Sequence, residues 1–268
     1  LSSLLDEHLG YVADAIRLDL FRSAIAHALR PGDRVADVGC GSAVLGLLCL
    51  QAGAAHIDAI DSTAAIEIAR QSLTKAGWGD KANFIHGTSF QAELPEPVDV
   101  LICDHVGYFG FDYGLIETLA DARRRFLKPG GRLIPGRLRS ADSAPWNPTN
   151  AINSRGGGRR RASQVEFHWL RQHGINTKCA VNLQADEVLA GPAESGLHRP
   201  AGRQPRILIS WTAEFTVPRD GVMHGLAGWF ECELAENVWM TNSPLSAQAI
   251  MRPQAFLPID GPLGCEGG

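Results

Sequence analysis

The sequence lacks the features that would announce a membrane protein, a disulfide framework or a metal site. No apolar run reaches the length of a bilayer span. The six cysteines (Cys40, Cys49, Cys103, Cys179, Cys232 and Cys265) include no C-x-x-C pair, and three sit in apolar strand or helix patterns. That usage predicts buried, reduced thiols in a cytoplasmic protein, with no disulfide frame and no metal. There is no surplus of positive charge: 25 Lys and Arg oppose 29 Asp and Glu, a net −4, so no general nucleic-acid field is expected. No internal repeat is evident. No secretory leader is visible, but the chain begins at Leu1 rather than at a methionine, so this absence excludes little. What remains is an ordinary globular composition, 45% hydrophobic and 20% charged over 268 residues, with room for one large domain or two modest ones.

The chain is organised around residues 35 to 61. Val35-Ala36-Asp37 reads as the end of a short apolar strand, followed by the glycine turn Gly39-Cys40-Gly41. A helix from about Val44 to Ala52 and a second apolar strand, Ala55 to Ile60, lead to Asp61. Glycine at 39 and 41 lets the backbone bend sharply and lets a ligand approach without meeting a Cβ. An acid closing the second strand is placed to grip a ribose diol. The unit therefore predicts a nucleoside-containing cofactor at the strand ends, against a plain strand–helix turn that binds nothing. The spaced triplet is G-x-G-x-A, which both dinucleotide and S-adenosylmethionine sites tolerate. Asp37 at the first strand's end, where a cationic methionine moiety would come, and the missing third close-packing glycine favour S-adenosylmethionine.

Upstream, residues 3 to 29 carry apolar residues at helical spacing, closed by Pro31-Gly32-Asp33. Within them His8, Tyr11, Asp14 and Arg17 recur every third residue. They are either a solvated helix face or a lid over the cofactor, with Arg17 pairing a carboxylate. Downstream come a helix from about Thr63 to Ala76, a strand at Asn83 to Ile85, and a polar loop holding Ser89 and Phe90. Phe90 either stacks on an adenine or plugs the core. A fourth strand, Val98 to Cys103, ends at Asp104. A helix from Ile116 to Leu127, a turn at Lys128 to Gly131 and a strand from Arg132 follow. Near-continuously apolar strands alternating with helices mean a parallel sheet covered on both faces.

From about residue 138 the pattern changes. Residues 146 to 163 hold an Arg/Gly-rich run, Arg155 to Arg161, read first as a flexible surface loop, then as a basic contact or itself a methyl acceptor. Lys178 to Leu183, Arg206 to Phe215, Gly225 to Leu234 and Asn237 to Met240 alternate with period two and read as strands. The expected fold class is α/β: a Rossmann-like domain with N-terminal lid helices over 1–137, then an all-β, barrel-like domain over 138–268.

Several stretches together resemble the protein arginine methyltransferases, class I S-adenosylmethionine enzymes with a Rossmann-like domain followed by a β-barrel. His8-x-x-Tyr11-x-x-Asp14-x-x-Arg17 is similar to their H-x-x-M-x-x-D-x-x-R helix. Val35 to Gly41 with Asp61 matches the cofactor motif and ribose acid. Asp104-His105-Val106-Gly107-Tyr108 is similar to E-W-M-G-Y, and Phe126 to Gly131 with Pro135 to W-L-K-P-G-G…P. His173 to Asn176 is similar to Y-G-F-D, Gly228-Trp229-Phe230 to G-W-F, and Thr241 to Pro244 to S-T-x-P. The resemblance implies that Arg17 holds the methionine carboxylate and that Asp61 takes the ribose hydroxyls. It also implies that His8, Tyr11, Asp37, Gly39, Cys40, Gly41, Ser62, Ser89 and Phe90 line the cofactor site. Phe90 falls where the family usually has a glutamate near the adenine. The family dimerises through an arm after the fifth strand, so a homodimer is implied, although no helical arm is legible between Pro135 and Ser163.

Two departures bear on the acceptor. The family grips a guanidinium with two glutamates on one hairpin. Here the first position is Asp104, one methylene shorter, and the second aligns with Tyr113, with Asp112 one residue earlier. The family's T-H-W histidine has no counterpart in Ala249-Ile250-Met251-Arg252. Asp104, Asp112 and His105 are the catalytic candidates, and His105 is either a base or a packing residue. The expected activity is methyl transfer to a nitrogen of a protein or peptide, arginine included. The alternatives are a small-molecule N- or O-methyltransferase and a cofactor-binding interaction module without activity. An NAD-linked oxidoreductase would leave the Arg17 helix and the β region without a role.

Overall fold

A computed structural model describes residues 2–110, 112–146, 175, 177–192, 197–198 and 214–268. The periodic stretch at the start of the chain forms two helices, α1 (Ser2–Ala13) and α2 (Ala15–Ala28). The break is at Asp14, whose extended backbone and side chain cap α2 by accepting the Arg17 N–H at 3.1 Å. His8, Tyr11, Asp14 and Arg17 therefore do not share one helical face. They are brought together by the bend between α1 and α2.

The first sheet is then laid down in order: β1 (Arg34–Val38), α3 (Val44–Gln51), β2 (His56–Asp61), α4 (Ala65–Lys75), β3 (Ala82–His86), β4 (Val98–Ile102), α5 (Leu115–Phe126) and β5 (Leu127–Ile134). All pairings are parallel, in the order β3-β2-β1-β4-β5. Val35 to Val38 and Ile57 to Asp61 are buried throughout, as expected of strands with both faces covered. The order reverses between β1 and β4, and in open α/β sheets ligands sit beyond the strand ends at that reversal. The expected turn at Lys128 to Gly131 lies inside β5, where four residues loop out between Val98↔Leu127 and Val100↔Arg132.

The second sheet is antiparallel: β6 (Arg137–Trp146), β7 (Cys179–Val181), β8 (Leu197–His198), β9 (Gly221–Ala235), β10 (Val238–Thr241) and β11 (Gln254–Cys265). Its order is β7-β11-β9-β6-β8, with β10 paired to β9. Two long strands, β6 and β11, were not expected. Proline and glycine interrupt the period-two alternation in β11, and its register shifts between Pro258 and Leu263. Residues 206–213 of one expected strand, the Arg155 to Arg161 run, and His173, Gly174 and Asn176 lie outside the described residues.

One apolar core runs through both sheets. Phe21 and Ile25 of α2 pack in the same cluster as Val35, Ile57 and Leu101 of the first sheet and Phe230, Cys232, Leu234 and Met240 of the second. A smaller cluster under β9 and β11 holds Trp229, Phe256 and Leu183. No helix among the described residues is long and apolar enough to cross a membrane. The two sheets also meet through Phe109, whose ring lies where a Cβ on Gly228 would have to go. Gly228→Ala should therefore force the Phe109 ring or strand β9 to move and destabilise the protein by about 1–3 kcal/mol. Thermal melting of the variant beside the wild type checks this, and an unchanged melting temperature would contradict the packing.

Candidate functional site

The turn after β1 is built by three consecutive constraints. Gly39 and Cys40 donate their N–H groups to the Ile60 carbonyl at 2.8 and 3.0 Å, tying the turn to the end of β2. Gly39 and Gly41 have φ of 70° and 53°, in the left-handed region glycine enters without a Cβ penalty. Gly41 also needs its bareness for space, since a Cβ there would stand 2.6 Å from the His8 ring. Asp61 then closes the unit. One carboxylate oxygen accepts the Gly41 N–H at 2.9 Å, and the other accepts the Thr63 N–H and hydroxyl at 2.8 and 2.7 Å.

These elements border a cavity of about 480 Å³ at the carboxyl ends of the strands. His8, Tyr11 and Arg17 reach it from the helices, and Gly39, Cys40 and Gly41 from the turn. Asp61 and Ser62 line it after β2, Ser89 and Phe90 after β3, and Asp104 and His105 after β4. Asp37 is not on the wall. Its carboxylate turns behind the turn and accepts the Gly46 N–H at 3.0 Å. Asp112 is not on the wall either. It accepts the Tyr108 and Phe109 N–H groups at 3.1 and 2.9 Å and pairs with Lys178. Asp112, one residue before the position aligned with the second glutamate, does not reach the cavity. Tyr113, at φ 67°, lines the cavity in its place.

Asp104 carries the densest electrostatics. Its Oδ2 accepts Arg17 Nε at 2.6 Å and Arg252 Nη2 at 3.0 Å, and Arg252 Nη1 stands 3.5 Å from Oδ1. All three side chains are under a tenth exposed. The Tyr11 ring faces both guanidinium groups, 5.4 Å from Arg17 and 5.3 Å from Arg252. Burial pushes the Asp104 carboxyl up, but Arg17 and Arg252 outweigh it and hold the group below the usual carboxylate range. Arg252 and Lys178 were not among the expected site residues. In the sequence Arg252 stands only as the end of the stretch without a histidine.

The walls suit a polar, hydrogen-bonding ligand. His8 Nε2 and Ser89 Oγ are buried on the cavity wall with no protein partner among the described residues. Such orphaned groups cost free energy unless a ligand or water satisfies them. Arg17 spends Nε on Asp104 and Nη1 on the Tyr11 carbonyl, and its Nη2 makes no hydrogen bond to the described protein. A braced carboxylate at one end and a guanidinium with a spare donor at the other fit a nucleoside that carries an amino-acid tail. No cluster of His, Cys, Asp and Glu among the described residues could hold a metal ion. All six cysteines are free.

Residues 35–131 match the family model described as a methyltransferase domain. Over those residues the chain carries a methyltransferase domain, and along most of its length it is similar to protein arginine methyltransferases. It is 29% identical over 266 residues to the probable histone-arginine methyltransferase CARMER of Drosophila melanogaster, covering 90% of this chain and 48% of that protein. It is 28% identical over 246 residues to the probable protein arginine N-methyltransferase 6 of Arabidopsis thaliana, covering 85% of this chain and 54% of that protein. The chain thus spans about half the length of the curated relatives it matches. Among solved structures it shares the fold of the Trypanosoma brucei PRMT1 enzyme-prozyme complex with AdoHcy, with TM-score 0.83, 21% identity, and coverage of 97% of this chain and 84% of that one. It likewise shares the fold of Arabidopsis thaliana protein arginine methyltransferase 10, with TM-score 0.77, 22% identity, and coverage of 98% and 85%.

Asp37 sets a pH signature for the site. Burial raises its carboxyl from the ordinary 3.8 to about 7; the Gly46 N–H opposes that rise and Asp61 adds to it. Between about pH 4 and 7 the native state therefore binds a proton that the unfolded chain has released. The contribution to stability is full below pH 4 and is lost as pH rises through 7. Asp37→Asn removes this titration. Its stability should be flatter over that window and exceed the wild type above pH 7, by up to about 4 kcal/mol. Urea midpoints at pH 5 and pH 8 test it, and equal pH dependence in both proteins would refute it.

Proposed function

We propose that this chain binds S-adenosylmethionine in the cavity at the strand ends and transfers its methyl group to a nucleophile presented beside Asp104 and His105. The observation that carries the reading is Asp61, locked by Gly41 and Thr63 at the end of β2, opposite a buried Arg17 with a spare donor. In this reading Asp61 takes the ribose diol and Arg17 Nη2 the methionine carboxylate. His8 and Ser89 satisfy their orphaned atoms on the ligand, and Ser62, Cys40 and the two glycines line its edge. Phe90, more than half exposed at the rim, covers the adenine end.

When bound, the cofactor supplies a methyl carbon that bonds to the acceptor's lone pair as the carbon–sulfur bond breaks, leaving its electron pair on sulfur. The chain's own part is alignment, the largest contribution in such a displacement. Arg17 and Asp104 fix each other, so the donor's tail and the acceptor's seat share one rigid pair. His105 lines the cavity with its ring 5.9 Å from that of Tyr113, and an imidazole there can receive the proton the acceptor sheds.

The relatives' names make a protein or peptide nitrogen, arginine included, the first acceptor class to assay. The pairing of Asp104 with Arg252 favours a second, a small-molecule N- or O-acceptor. A homodimer, implied by the resemblance, remains a proposal that sedimentation tests. A labelled-methyl assay against lysate, followed by identification of the labelled atom, separates the acceptor classes. Cofactor binding without transfer to any peptide or metabolite pool would make the chain a binding module. Asp61→Ala should weaken S-adenosylhomocysteine binding by about 1–3 kcal/mol, the cost of leaving buried hydroxyls unpaired. Calorimetry reads this directly, and unchanged affinity in a folded variant would remove Asp61 from the site.

A further inference from the structure

The loop between β4 and α5 carries two carboxylates, Asp104 and Asp112, and each already holds a cation from the β-rich half of the chain. Arg252, between β10 and β11, is seated on Asp104. It is not a loose surface side chain. Its neighbour Met251 donates its N–H to Asp14 at 2.7 Å, its own carbonyl accepts Gln254 Nε2 at 3.2 Å, and its guanidinium faces the Tyr11 ring. Lys178, just before β7, is seated on Asp112. Its ammonium lies 5.4 Å from the Tyr108 ring and 4.8 Å from that of Tyr113. On the acceptor side Arg17 and Arg252 neutralise Asp104, the one carboxylate there on the cavity wall, and Lys178 neutralises Asp112 behind it, while Asp61, on the cofactor side of the wall, is held by the Gly41 and Thr63 donors. Asp37, behind the turn, faces Gly46 and not the cavity.

A cationic acceptor entering beside Asp104 would find that carboxylate and Asp112 already paired, with Asp61 at the cofactor's end of the cavity. It would also stand beside a sulfonium of the same sign, and a buried unpaired charge is strongly disfavoured. An uncharged nucleophile needs no counterion. We infer that the methyl acceptor is an uncharged nitrogen or oxygen nucleophile, and that Arg252 and Lys178 are the specificity residues that exclude a guanidinium. The inference rests on the methyl-transfer reading. An uncharged N–H or O–H acceptor becomes cationic as its lone pair bonds to the methyl carbon, and neutrality returns when its proton leaves to His105 or solvent.

The test is a calorimetric titration with methylguanidinium, with and without saturating S-adenosylhomocysteine. The wild type should give no binding heat. Arg252→Ala opens the Asp104 seat and should gain affinity for methylguanidinium roughly 10- to 100-fold, the range for a charge-assisted hydrogen bond. Methylguanidinium should also restore the variant's melting temperature, while tetramethylammonium, which donates no hydrogen bond, should not. Arg252→Met, which keeps bulk and loses charge, serves if the alanine variant does not fold. Lys178→Met reads the second carboxylate independently. In the labelled-methyl assay, label should enter uncharged small acceptors and not an Arg-Gly peptide. Methylguanidinium binding to the wild type, label on peptide arginine, or no gain in any variant would overturn the inference. Failure of S-adenosylhomocysteine to bind would instead sink the methyl-donor reading, while the methylguanidinium titration still reports on the seat.

Discussion

One carboxylate shared by two guanidinium groups ties this molecule together. Asp104 stands at the end of β4, Arg17 on α2, and Arg252 on the stretch entering β11, 148 residues further along the chain. The triad fastens the N-terminal helices, the parallel sheet and the antiparallel sheet at one buried point. Its members are satisfied as a set and costly apart. Removing one partner of a buried pair costs about 3–5 kcal/mol, because the remaining charge stays out of water. The Tyr11 ring, facing both guanidinium groups, adds attraction in a desolvated place, where cation–π contacts reach about 2 kcal/mol. The triad therefore specifies how the halves meet more than how stable either is.

The cofactor side of the cavity rests on a different kind of interaction. There the backbone does the shaping: two N–H groups of the turn on the Ile60 carbonyl, and Gly41 N–H on Asp61. These bonds join residues about twenty apart, within one strand–helix–strand unit. That is why this half was legible in the sequence. Gly39, Gly41 and Asp61 signal their roles by type and spacing alone, and the apolar strands that carry them cannot be covered on both faces in any other layer arrangement. The parallel sheet, its helices and nearly every wall residue follow from that.

What the sequence hid was non-local or locally contradictory. Asp14 sits in a run whose period is helical on both sides, so its role as a cap that bends the chain is masked by its neighbours. Asp37 sits where a wall residue belongs, yet the N–H of Gly46 draws its carboxylate behind the turn. Strand β11 has proline and glycine where alternation would betray it, and its pairing with β9 supplies what its own pattern does not. Arg252 and Lys178 gave no signal of their own. A lone arginine and a lone lysine in a β-rich region are most simply surface charges. Only the chain path brings them to Asp104 and Asp112.

The two halves of the cavity therefore answer to different constraints. On the proposed reading a ribose and an amino-acid tail demand fixed donors and acceptors, and the glycine turn, Asp61 and Arg17 offer them. The acceptor side depends on how many charges the mouth leaves unpaired, and a single distant side chain can change that count. Replacing a neutral or titratable partner with a permanently charged guanidinium converts an acid that can receive a cation into one already neutralised. The protein surroundings favour that state: burial alone would push the Asp104 carboxyl up, yet the two guanidinium groups hold it ionised. A scaffold can thus keep its grip on the methyl donor while changing the charge class of what is methylated, with no movement of a strand.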